Sequence, residues 1–97
     1  MDTIGQMQDA IEKTFVIKNK LGLHARAASL FVQLASKFDS DILVSKNDQE
    51  VNGKSIMGIL ILAAAQGSQI TLRVSGEDAE AAASALGKLI EDGFGED

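Results

Sequence analysis

His24 is the only histidine in the 97-residue chain, and it lies in Gly22-Leu23-His24-Ala25-Arg26, where a strand-like stretch gives way to a helix-like one. A neutral imidazole can be both nucleophile and leaving group near neutral pH without prior activation. Those properties suit a side chain that takes up a group and gives it back. A helix start adds free backbone N–H groups and the positive end of the macrodipole, which together favour an anion attached to the ring. The backbone N–H groups of Ala25 and Arg26 are the expected donors to that anion. Arg26 also carries a planar fork suited to a phosphate oxygen or a partner's carboxylate. The bland reading of each residue is a helix cap for His24 and a solvated arginine for Arg26.

Three further features bear on chemistry. Ser55 is placed to N-cap a second helix, where alanine in its place would cost about 1 kcal/mol. A phosphate added there would set about two negative charges beside an apolar face. That face contains Ile56, Met57, Leu60 and Ile61, more apolar side chains than one helix over a sheet can bury. Ile56, Met57 and Leu60 are therefore read as a docking surface for protein partners, with methionine suited to varied contacts. With a single histidine, no cysteine and no carboxylate close to His24 in the sequence, neither a metal nor a cofactor is expected.

The elements that must position these residues follow from periodicity. Glu12 to Lys18 alternates, with Phe15 and Ile17 on one face, and predicts a half-buried strand. Asn19-Lys20-Leu21-Gly22 is the turn out of it. From Ala25 to Phe38, apolar residues at Ala28, Phe31, Leu34, Ala35 and Phe38 predict a helix with one buried stripe. Ile42 to Val44 and a short stretch near Val51, joined by Lys46-Asn47-Asp48-Gln49, predict an antiparallel hairpin. A second helix is expected from Ser55 to Gln66-Gly67. Ile70, Leu72 and Val74 predict a fourth strand, and Ser75-Gly76-Glu77-Asp78 resembles a capping box before a last helix that ends at Gly93. Phe94-Gly95-Glu96-Asp97 is expected to trail off. Phe15, Phe31, Phe38 and the alanines of the last helix are assigned to core. The order β-α-β-β-α-β-α packs most simply as two layers, an α+β arrangement with helices on one face of an antiparallel sheet. Strand order stays open, and a ferredoxin-like arrangement would read the same way.

Composition narrows the function classes. Residues 1–10 lack periodicity and read as a loose extension, leaving residues 11–97 as one domain. The net charge of −5 and 4% aromatic content argue against a nucleic-acid binder, which needs a basic stripe and stacking rings. Partners are expected to be proteins. The longest apolar run, Ile56 to Ala65, is interrupted by Gly58 and too short to span a membrane. Asp2 and Asp9, with no basic residue before Glu12, do not make a secretory signal. A cytoplasmic protein without disulfides is the expectation.

Lys20-Leu21-Gly22-Leu23-His24-Ala25-Arg26-Ala27-Ala28 resembles the phosphorylation motif of the HPr family, the histidine phosphocarriers of the phosphoenolpyruvate-dependent phosphotransferase system. Val51-Asn52-Gly53-Lys54-Ser55-Ile56-Met57-Gly58 is similar to that family's regulatory-serine segment. The resemblance covers roughly residues 11 to 92. It implies a two-layer open-faced β-sandwich, with four antiparallel strands under three helices. It also implies phosphorylation of His24 on Nδ1 by enzyme I and transfer to enzyme IIA domains. The carrier would act stoichiometrically, not as an enzyme, and most simply as a monomer. Arg26 is carried over as the arginine beside the phosphate, and Ser55 as the target of the HPr kinase/phosphorylase where one is present. Ala27 departs from the family, which usually has proline there; alanine keeps the helix with a less rigid start. The tail and the Asn19-Lys20-Leu21 lead-in look more like the nitrogen-related branch of the system, whereas Lys54 to Gly58 looks more like serine-regulated carriers. The reading from another class is a ferredoxin-like interaction or sensor domain in which His24 is only a cap.

Overall fold

The structure, a computed structural model, describes residues 10–96. Its elements are β1 (Ile11–Val16), α1 (Ala25–Ala35), β2 (Asp41–Lys46), β3 (Gln49–Asn52), α2 (Ile56–Leu62), β4 (Gln69–Ser75) and α3 (Ala79–Glu91), followed by a 3-10 turn at Gly93–Gly95. The loose extension expected at residues 1–10 lies outside the described residues except for Ala10, which is in no regular element.

The strands form one antiparallel sheet in the order β1-β4-β2-β3, which settles what periodicity left open. Alternation decides the faces. Phe15 pairs with Ile70, and Val44 stands beside both Leu72 and Val51, all directed at the helices. Thr14 pairs with Thr71, and Leu43 with Arg73, on the open side. There Thr14 and Thr71 join their hydroxyls at 3.0 Å. The core between sheet and helices is built from Ile17, Phe31, Ile42, Val44, Ile59, Ile70, Leu72, Leu86 and Ile90, each at most 2% exposed. Phe15 and Phe38, assigned to core from the sequence, are only partly buried and pack against its rim. Ala79, Ala82 and Ala83 of α3 are buried, which lets that helix lie close to the sheet.

Element ends differ from the periodic reading, and each difference has a tertiary cause. β1 stops at Val16, yet Ile17 continues the line by exchanging bonds with Ser68 O (2.9 Å) and Gly67 N (2.8 Å). α1 ends at Ala35 instead of Phe38, because Lys37 and Phe38 bond three residues back and tighten the last turn. α2 ends at Leu62, well short of Gln66-Gly67, with Ala63 turning left-handed at φ +49°. The segment freed by that early end is what receives the loop before α1. The capping box is absent: Asp78 makes no cap bond to its own helix. Its carboxylate instead accepts from the amides of Asp39 (2.8 Å) and Ser40 (3.0 Å) and from the Ser40 hydroxyl, tying the α1–β2 loop to α3.

Candidate functional site

His24 is the N-cap of α1 in extended backbone, φ −78° and ψ −178°. Its carbonyl accepts the first helical bond, from Ala28 N at 2.8 Å. The amides of Ala25, Arg26 and Ala27 thus precede the i→i−4 ladder, as a helix start requires. Ala25 and Arg26 are exposed, while Ala27 is buried under the helix. A ring at this position sees the open end of the first turn.

The turn before His24 is held from two directions. Gly22 N donates to Asn19 O at 3.1 Å, and Leu23 N donates to Ala64 O at 2.9 Å in the segment after α2. Gly22 has φ +67°, and a Cβ there would collide with the Ala64 carbonyl oxygen. Only glycine allows that approach without displacing the chain. Leu23 fills the core beneath, so the residue next to it is directed outward.

The largest correction to the sequence reading is the C-terminal tail, which does not trail off. After α3, Gly95 N bonds Asp92 O (3.2 Å) and Glu96 N bonds Gly93 O (3.0 Å), closing a tight turn. Phe94 within it adopts φ +57°, costly for a bulky residue, and is held there by a ring only 2% exposed. The turn carries Glu96 back to α1. Glu96 Oε2 lies 2.6 Å from His24 Nε2, and Glu96 Oε1 accepts from Asn19 Nδ2 at 3.0 Å. Asn19, itself buried, gives its other Nδ2 proton to Gly22 O at 2.8 Å. The His24 ring is 28% exposed and the Glu96 side chain 13%. The Asn19 hydrogen bond, then the His24 hydrogen bond, hold the Glu96 carboxyl below its ordinary value; partial burial opposes them, and the electrostatic influence of the nearby His24 and Arg26 side chains adds to the lowering.

The ring nitrogen facing Glu96 is Nε2; among the described residues Nδ1 has no hydrogen-bond partner. The site therefore offers one nitrogen held by a carboxylate and one left available, beside uncommitted amides. Glu96 was out of reach of sequence reasoning because it stands 72 residues from His24. The one local signal was Phe94, an aromatic residue with glycine on both sides that has to be buried somewhere.

The other expected residues fall elsewhere. Ser55 does N-cap α2, its hydroxyl accepting from Gly58 N at 3.1 Å. Met57 is 68% exposed, Ile61 55% and Ile56 43%, whereas Leu60 is half-buried and packs against the core. Ile61 thus replaces Leu60 in the exposed apolar set. Arg26 is exposed at the mouth of the site. Among the described residues no group of three His, Cys, Asp or Glu side chains could hold a metal, and no helix is long and apolar enough to cross a membrane.

Comparison with known proteins shows the family and the fold. A family model described as "PTS HPr component phosphorylation site" matches residues 11–92. The phosphocarrier protein HPr of Xylella fastidiosa strain 9a5c is 49% identical over 87 residues, covering 90% of this chain and 98% of its own. The phosphocarrier protein NPr of Shewanella violacea is 41% identical over 86 residues, covering 89% of this chain and 94% of its own. Among solved structures, HPr-C-His from Thermoanaerobacter tengcongensis superposes with a TM-score of 0.87 at 55% identity, covering 90% of this chain and 98% of that one.

Proposed function

Since the chain belongs to the HPr family and is a phosphocarrier of the phosphotransferase system, we propose that His24 is its phosphoryl acceptor, charged by enzyme I and discharged to enzyme IIA domains. The observation that carries this reading is the His24 ring at the mouth of α1, with Nε2 against Glu96 and Nδ1 available. In the loading step the Nδ1 lone pair attacks phosphorus in line with the donor. The new N–P bond forms as the donor–phosphorus bond breaks, its electron pair leaving on the donor. The amides of Ala25 and Arg26 and the Arg26 guanidinium then donate hydrogen bonds to the phosphoryl oxygens. Unloading reverses each movement toward the next acceptor. Because such transfer needs positioning and charge stabilisation that partners supply, the carrier needs no enclosed pocket.

Ile56, Met57 and Ile61 form the docking face of this reading, with Leu60 as its inner support. Ser55 is its regulatory site: a phosphate there would lie beside that face and weaken docking to enzyme I. Equal labelling of wild type and Ser55→Ala by HPr kinase/phosphorylase with ATP would remove the regulatory role. The nitrogen-related branch is the second reading, favoured by the Asp92 to Asp97 tail. The two part on whether a sugar-type or a nitrogen-related IIA domain discharges the carrier faster.

The central experiment is incubation with labelled phosphoenolpyruvate and enzyme I. An acid-labile, alkali-stable label is expected on the wild type and absent from His24→Ala. Label retained in His24→Ala, or none on the wild type with several enzymes I, overturns the assignment and leaves His24 as a cap.

A further inference from the structure

Glu96 contacts the one ring nitrogen that the transfer reaction does not use, and the contact is built, not incidental. Two features bring it there: the closed turn of Gly93–Gly95, anchored by buried Phe94 with its backbone in the left-handed region, and the second hydrogen bond from buried Asn19. At 2.6 Å from Nε2, a carboxylate can only accept, so the ring must present its proton there. We propose that Glu96 is a positioning residue that holds the His24 proton on Nε2, thereby keeping the Nδ1 lone pair free to receive a phosphoryl group.

The inference rests on the carrier reading and deepens it. When Nδ1 takes the phosphoryl group, the ring gains positive charge while its proton stays on Nε2, and the adjacent carboxylate stabilises that charge. On discharge the N–P bond breaks with its electron pair returning to Nδ1, and the ring departs as neutral imidazole because Nε2 kept its proton. Without a held proton, part of the population would carry it on Nδ1 and present no nucleophile there. A carboxylate orienting a histidine through its other nitrogen does the same in serine-protease triads.

Asn19 fixes which way a side-chain amide at position 96 can face. Its Nδ2 protons go to Gly22 O and Glu96 Oε1, so its amide cannot flip without putting oxygen against oxygen. In Glu96→Gln the side-chain oxygen must therefore face Asn19, and the new NH₂ must face His24. That NH₂ donates, so Nε2 has to accept, and the proton is driven onto Nδ1. The isosteric variant is thus expected to be worse than Glu96→Ala, the reverse of what a role in packing alone would give.

The test uses the full chain with ¹⁵N-labelled histidine and three proteins: wild type, Glu96→Gln and Glu96→Ala. Imidazole ¹⁵N shifts above neutral pH are expected to report mainly the Nε2–H tautomer in wild type, a mixture in Glu96→Ala, and mainly Nδ1–H in Glu96→Gln. In steady-state transfer from enzyme I, kcat is expected to fall about tenfold in Glu96→Ala, the loss of one charge-assisted hydrogen bond, with KM little changed. A further fall of about tenfold is expected in Glu96→Gln. Unaltered tautomer populations, or a Glu96→Gln kcat equal to or above that of Glu96→Ala, overturn the inference while leaving the carrier assignment intact. Failure of wild type to be labelled on His24 overturns the carrier reading itself.

Discussion

Replacing Gly22 with alanine adds one methyl group to the turn that presents His24, and the structure sets its cost. Forcing a non-glycine residue to φ +67° costs about 1–2 kcal/mol. The methyl would also strike the Ala64 carbonyl and come within 3.0 Å of the Ala65 Cα, so the two backbones must part. Parting them breaks the 2.9 Å bond from the buried Leu23 amide to Ala64, and a buried donor left unpaired costs about 1–3 kcal/mol. Lower entropy of the unfolded chain returns about 0.4–1 kcal/mol. The expected net loss is about 3 kcal/mol, or a fall of about 2 M in the urea midpoint for a domain of this size. Gly67→Ala is the control. Its φ is +90°, but nothing lies within 4 Å of the added methyl, so conformational strain alone remains, about 0.5–1 kcal/mol net. Paired urea titrations with and without an enzyme I labelling assay measure both consequences, since a displaced turn also moves His24. Equal losses in the two variants would refute the close approach to Ala64 as the constraint on the turn.

Two further outcomes follow from the same contacts. Asp78 is held below the ordinary aspartate value first by the Ser40 hydroxyl and then by the Asp39 amide. A folded value below the unfolded one means that the folded state binds fewer protons, so this contribution is complete above about pH 4 and fades as pH falls through the lowered value. Thermal melts of Asp78→Asn should accordingly lie below wild type at pH 7 and converge with it toward pH 2; a gap that stays constant with pH would refute the assignment. Met57→Glu should leave the melting temperature within about 2 °C, because the side chain is 68% exposed. It should nonetheless raise KM for enzyme I at least about tenfold, by placing a charge in the apolar face; unchanged KM would remove Met57 from that face.

Much of the fold was legible because the information is local. Alternation at Phe15, at Ile42 and Val44, and at Ile70, Leu72 and Val74 decides which side of the sheet is buried. Ser55 caps its helix for reasons contained within four residues. Ends were less legible. α2 stops at Leu62 because the following segment is engaged by Leu23, a demand placed by a distant loop and invisible to periodicity. Asp78 was misread for the same reason: a carboxylate near a helix start has local amides available, yet a packed loop offered it three donors.

His24, Arg26 and their place at a helix start were legible in the sequence alone, since residue type and near-neighbour spacing put an imidazole and a guanidinium beside the first turn. Which imidazole nitrogen faces a carboxylate was decided only by tertiary structure. Glu96 reaches the ring because a buried Phe94 turns the chain back and Asn19 fixes the carboxylate beside it. Hydrophobic burial acts on the whole chain at once, so contacts between its two ends depend on how the core closes, and no short pattern encodes them.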